Sequence, residues 1–129
     1  MMEKPIRILA IDDEESFTFF VKLNLQNETR YDFKVTTANS GKEGLKLARI
    51  GRPDLILLDI MMPDMSGTEV AEALLADART KNIPIIFVTA VVQKREVEEV
   101  AGVMGGREFI AKPVSIEELV NRIEATLNL

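Results

Sequence analysis

The chain has 129 residues, 47% of them hydrophobic and 29% charged, with a net charge of −5. That size and balance suit one globular domain with a buried core, and the negative charge disfavours non-specific binding to nucleic acid or anionic membrane. Cysteine and histidine are both absent, which excludes disulfides, thiol chemistry and imidazole bases and leaves oxygen donors for any metal site.

Apolar runs with strand character alternate with helical patterns along the whole chain. Ile6 to Ile11 predicts a first strand, and Glu15 to about Gln26, carrying Phe17, Phe20 and Val21, predicts a helix. A second strand is expected over Phe33 to Thr37, then a helix opened by Ser40 and running to about Ile50. Asp54 to Leu58 reads as the third strand, Ser66 starts a third helix, and Pro84 to Val88 is the fourth strand. Val97, Val100, Ala101 and Met104 recur at helical spacing and predict a helix from Gln93 to about Met104. Glu108 to Ala111 reads as a short fifth strand, and Ser115 opens a last helix with Ile116, Leu119, Val120, Ile123 and Leu127 on one face.

Three of the helix starts pair a serine with a glutamate three residues on: Ser40/Glu43, Ser66/Glu69 and Ser115/Glu118. This is the capping-box pattern. Pro53, Pro63 and Pro84 punctuate loops or strand starts, where a missing N–H is tolerated. No repeat, linker or signal-peptide pattern interrupts the chain, and no run approaches the about 18 apolar residues of a membrane span. One domain over residues 1–129 is therefore expected, with a core at about 6–127, no effector domain and a cytoplasmic location.

Leu55 to Leu58 and Ile85 to Val88 are apolar throughout, as parallel strands covered on both faces must be. Phe33 to Thr36 alternates, which suits an edge. Five βα units then give an α/β, doubly wound parallel five-stranded sheet of order 2-1-3-4-5. Ligands of such sheets sit beyond the carboxyl ends of the strands, where the strand order reverses. Asp12 and Asp13 end strand 1, Asp59 ends strand 3, Thr89 ends strand 4 and Lys112 ends strand 5. Three acids on one rim repel, and a divalent cation with several retained waters relieves that repulsion; Mg²⁺ fits best, with Mn²⁺ as a substitute. Taken singly, each has a plainer role: Asp12 to Glu15 as an acidic first turn, Asp59 as a turn former, Lys112 as a solvated lysine and Thr89 as strand packing. Their convergence favours a functional site. No Gly-rich phosphate loop is present, and Gly102, Gly105 and Gly106 read as a helix stop.

The segments Asp12-Asp13-Glu14, Leu58-Asp59-Ile60-Met61-Met62-Pro63-Asp64-Met65-Ser66-Gly67, Val88-Thr89-Ala90 and Phe109-Ile110-Ala111-Lys112-Pro113 closely resemble those of the response-regulator receiver family of two-component signalling. The resemblance spans Ile6 to Leu127. It implies a flavodoxin-like (βα)5 fold and a phosphoryl-accepting switch that catalyses only its own phosphorylation and dephosphorylation. Asp59 would be the phosphoacceptor. Asp13, Asp59 and the Met61 backbone carbonyl would bind Mg²⁺, with Asp12 acting through a water. Lys112 and Thr89 would stabilise the phosphoryl group. Thr89 and Phe109 would form the switch, and the Lys112–Pro113 peptide bond would be cis. The partners implied are a sensor histidine kinase or histidine phosphotransfer protein and a downstream protein target. That target would be reached through the fourth helix, fifth strand and last helix, with no direct nucleic acid and no membrane insertion.

Met61 and Val91, two residues after Asp59 and Thr89, are both apolar and are expected to shield the phosphoryl group from water. Two other readings stay open: a pseudo-receiver used only for protein interaction, and a Mg²⁺-dependent aspartyl phosphatase. The intact acids, Thr89 and Lys112 speak against the first. The second would need another acid near the nucleophile and an insertion large enough to cap the site.

Overall fold

Central strands whose residues are all apolar cannot face water on either side, and the computed structural model shows how both faces are covered. It describes residues 4–90 and 108–129. The strands are β1 (Ile6–Ile11), β2 (Phe33–Ala38), β3 (Leu55–Leu58), β4 (Ile85–Thr89) and β5 (Glu108–Ala111). All neighbours are parallel, in the order β2-β1-β3-β4-β5. The helices are α1 (Glu15–Gln26), α2 (Gly41–Gly51), α3 (Gly67–Leu75) and α4 (Ile116–Leu127). The helix expected over Gln93 to Met104 lies outside the described residues, as does Val91.

Alternation along the strands splits the core in two. Ile8, Ala10, Leu55, Leu57, Ile86, Val88 and Ile110 point to one face, under Val21 and Leu25 of α1 and Leu119, Val120 and Ile123 of α4. Leu9, Ile11, Ile56, Leu58, Ile85 and Phe87 point to the other, under Leu45 and Ala48 of α2 and Val70, Ala71 and Leu74 of α3. Fully burying side chains of this size stabilises the fold by about 1.5–3 kcal/mol each before the entropy cost of ordering them.

The expected element boundaries hold within one residue. β2 runs through Ala38 because Ala38 continues the β1 register opposite Ile11. β3 begins at Leu55 since Asp54 turns its carboxylate onto the Arg7 N–H at 2.8 Å. The three serine caps each accept the N–H of the glutamate three residues on, at 3.1–3.2 Å. Only Ser66/Glu69 closes the reciprocal box, with Glu69 accepting the Ser66 N–H. α2 ends on Arg52 in the left-handed conformation, φ 46°.

Candidate functional site: the acidic rim of the sheet

The parallel hydrogen-bond ladder continues one step past the strands and carries the charged residues into register. Asp12 N–H donates to the Ala38 carbonyl at 3.0 Å, Asp59 N–H to the Ile11 carbonyl at 3.0 Å, and Lys112 N–H to the Thr89 carbonyl at 2.9 Å. The residues after β1, β3 and β5 are thereby fixed by the sheet itself. Asp12, Asp59 and Thr89 are almost fully buried, at 2%, 4% and 2% exposure, while Asp13 is exposed.

Asp12, Asp13 and Asp59 each place a carboxylate oxygen within 4.8 Å of the others. Burial, and then the neighbouring charge of Asp12, push the Asp59 carboxyl up to about 6; Lys112, a Thr89 hydrogen bond and the Met61 N–H pull the other way. Burial likewise raises Asp12, against hydrogen bonds from Lys112 and the Glu14 N–H. Such crowding of buried carboxylates is costly for the bare protein, and a divalent cation relieves it. An all-oxygen donor set of this kind fits Mg²⁺.

Lys112 Nζ donates to Asp12 Oδ2 at 2.7 Å and to Glu14 Oε1 at 3.2 Å, and lies 4.4 Å from the centre of the Phe17 ring. Burial opposes its charge, yet the hydrogen bond and charge of Asp12, the hydrogen bond of Glu14 and the charge of Asp59 outweigh it and raise its pKa. The amine therefore remains a cation beside the acids. The Lys112–Pro113 peptide bond is cis. Phe109 stacks on Phe87 with ring centres 5.1 Å apart and is only partly buried. Met61 is 69% exposed at the rim.

Several supports escaped the sequence reading. Asn39, just past β2, donates from Nδ2 to the Asp12 carbonyl at 2.9 Å and to Thr18 Oγ1 at 3.0 Å, tying the acidic turn to α1. Asp64 accepts the N–H groups of Gly41 and Lys42 at 3.0 and 3.1 Å, capping α2 from the loop after β3. Those N–H donors, Gly41 first, hold its carboxyl below the usual range. Gly67 passes so close to the end of β3 that a Cβ there would meet the Asp59 carbonyl oxygen at 2.1 Å. The only hint in sequence was the glycine closing the loop motif; nothing local marks Asn39 or the target of Asp64.

Comparison with known proteins agrees with this geometry. Residues 8–124 match the family described as response regulator receiver domain. The chain is 38% identical to PilH of Pseudomonas aeruginosa, covering 94% of this chain and 97% of that protein. It is 39% identical to the transcriptional regulatory protein AfsQ1 of Streptomyces coelicolor over 93% of this chain, and spans only 50% of that regulator's length. The solved structure of the chemotaxis response regulator CheY4 of Vibrio cholerae superposes with a TM-score of 0.85 at 29% identity, covering 96% of this chain and all of that one. A CheY-like receiver domain protein from Methanospirillum hungatei gives 0.85 at 29% identity, covering 97% and 95%. With its doubly wound order, its acidic strand ends and a match over nearly its whole length, the chain belongs to the response regulator receiver domains of two-component signalling.

Proposed function

We propose that the chain takes a phosphoryl group onto Asp59 from a histidine kinase or histidine phosphotransfer protein and passes the signal to a protein partner. The observation that carries this reading is the meeting of Asp12, Asp13 and Asp59 within 4.8 Å beside the Lys112 amine. In the step itself one Asp59 carboxylate oxygen attacks phosphorus and an O–P bond forms. The P–N bond to the donor histidine breaks, and its electron pair leaves with the ring nitrogen, which takes one proton from solvent to become neutral imidazole. The product is an acyl phosphate.

Asp13, Asp59 and the Met61 carbonyl would hold Mg²⁺, with Asp12 reaching it through a water. When bound, the ion supplies positive charge to the phosphoryl oxygens of a loose transition state. Lys112 supplies a second, fixed positive charge, and its anchoring by Asp12 keeps the amine at the rim. Thr89 offers its hydroxyl to the phosphoryl group. In this reading the hydroxyl's displacement lets Phe109 turn inward and shifts a pre-existing balance of two conformers. The readout surface comprises β5, α4 and the helix expected over residues 93–104. A cytoplasmic location belongs to the same proposal; among the described residues no helix is long and apolar enough to cross a membrane.

Incubation with Mg²⁺ and acetyl phosphate, followed by intact mass measurement, tests the assignment. Wild type should gain one phosphate per chain and Asp59→Asn none. Phosphate on both proteins, or on neither, would discard Asp59 as the acceptor. Continuous turnover of a phosphoester would instead favour a phosphatase.

A further inference from the structure

The geometry points to Glu14 as a latch on Lys112: its carboxylate holds the amine away from the phosphoryl position and makes the receiver harder to charge. The inference rests on Asp59 being the acceptor. It adds a residue whose side chain touches neither the acceptor nor the three-acid cluster.

Lys112 Nζ has three N–H donors. One goes to Asp12 Oδ2 at 2.7 Å, a second to Glu14 Oε1 at 3.2 Å, and the cation rests against the Phe17 ring at 4.4 Å. The two acids differ in kind. Asp12 is buried and fixed at both oxygens, since its Oδ1 accepts the Glu14 N–H at 2.9 Å. Glu14 is anchored through that same N–H, but its side chain is 59% exposed and its carboxylate pairs with no other cation among the described residues. With Asp12 and Glu14 taking two donors and the Phe17 ring beside the cation, the amine in this inference keeps Asp12 and turns toward an anion on Asp59 by exchanging Glu14 for it. Exchange at a solvated pair is easy, so the latch opens, at a modest cost. The main chain of Glu14 thus builds the site while its side chain restrains it. That separation makes the side chain a clean target.

Two substitutions separate contact from charge. Glu14→Gln removes the charge and weakens the hold on Lys112. Glu14→Asp keeps the charge but withdraws the carboxylate by one methylene, out of reach of Nζ. Titration with beryllofluoride at saturating Mg²⁺, followed through the side-chain NMR signal of Lys112 in lysine-labelled protein (assigned with Lys112→Arg), reads the site without turnover. Both variants should reach half-saturation at about two- to fivefold lower beryllofluoride than wild type, the range an exposed pair can contribute. The rate of phosphorylation by acetyl phosphate should rise by the same factor in both.

If Glu14→Asp behaves as wild type while Glu14→Gln tightens, general repulsion by a nearby charge is at work and the latch is wrong. Equal midpoints for all three proteins, or weaker binding in the variants, overturn it as well. Should wild type take neither phosphate nor beryllofluoride, the receiver chemistry itself fails; should wild type take both and the variants match it, only the latch does.

Discussion

The Asp59 N–H donates to the Ile11 carbonyl at 3.0 Å, so Asp59 is hydrogen-bonded directly to the last residue of β1. Asp12 follows Ile11 and is buried beside Asp59. The sheet ladder therefore forces two carboxylates together at a site where water cannot screen them. That enforced proximity governs both the stability of the bare protein and its response to metal.

Stability in the absence of metal should depend on pH through Asp59. Its carboxyl has an ordinary pKa of 3.8 when unfolded and about 6 when folded. The folded state thus holds its proton more tightly. Stability from this group is complete below pH about 4 and is lost as pH rises through about 6. The difference of about two units corresponds to about 3 kcal/mol. Asp59→Asn should therefore raise the melting temperature of the metal-free protein at pH 7.5 by about 9–15 °C, and by far less at pH 4. Calorimetry at both pH values checks this; an equal effect at both would remove the charge explanation.

Mg²⁺ should relieve the same repulsion as protons do and compete with them for the same carboxylates. At pH 7.5, ion at ten times its dissociation constant should stabilise the fold by about 1.4 kcal/mol. At pH 5 the gain should shrink, because Asp59 with a pKa of about 6 is mostly protonated there. Asp13→Ala should abolish the gain at either pH, as seen in thermal melts with and without ion. Persistence of the shift in that variant would show that Asp13 is not a ligand.

Gly67 offers a test of backbone precision. A Cβ at this position would lie 2.1 Å from the Asp59 carbonyl oxygen and 2.8 Å from Ile60 Cα. Both are backbone atoms, so no side chain can give way. The Gly67 N–H also donates to the Ile60 carbonyl at 2.8 Å. Gly67→Ala should cost about 2–4 kcal/mol in chemical denaturation and reduce phosphate uptake more than a core substitution of equal cost, such as Leu74→Ala. Equal loss of uptake for the two variants would argue against a specific displacement of Asp59.

The lifetime of the phosphorylated state should depend on Met61 and Val91. Met61 stands exposed at the rim, where an apolar side chain hinders the approach of water. Replacing both residues by polar ones, as in Met61→Asn with Val91→Glu, should speed loss of phosphate by about three- to tenfold, measured as decay of the phosphorylated mass after donor removal. Unchanged decay would exclude this role.

Much of the fold was legible in the order of residues. Continuous apolar runs at residues 55–58 and 85–88 mark central strands because only a strand covered on both faces can bury every side chain. The alternating run from Phe33 marks an edge for the converse reason. Serine–glutamate pairs mark helix starts through a local hydrogen bond that needs no tertiary partner. The three acids and the lysine could be placed on one rim because sheet topology fixes where strands end.

Contacts between residues far apart along the chain were settled by folding alone. Lys112 meets Asp12 across a hundred positions and Glu14 across nearly as many; Asn39 meets the Asp12 carbonyl and Asp64 meets the start of α2 across loops. No periodicity encodes such pairs, since each depends on the length and direction of two side chains after the backbone is in place. The pKa of Asp59 belongs with them. Its place as an aspartate at the end of a strand can be read from the order of residues, whereas burial and the neighbouring charge of Asp12, which push it to about 6, exist only once the chain is folded.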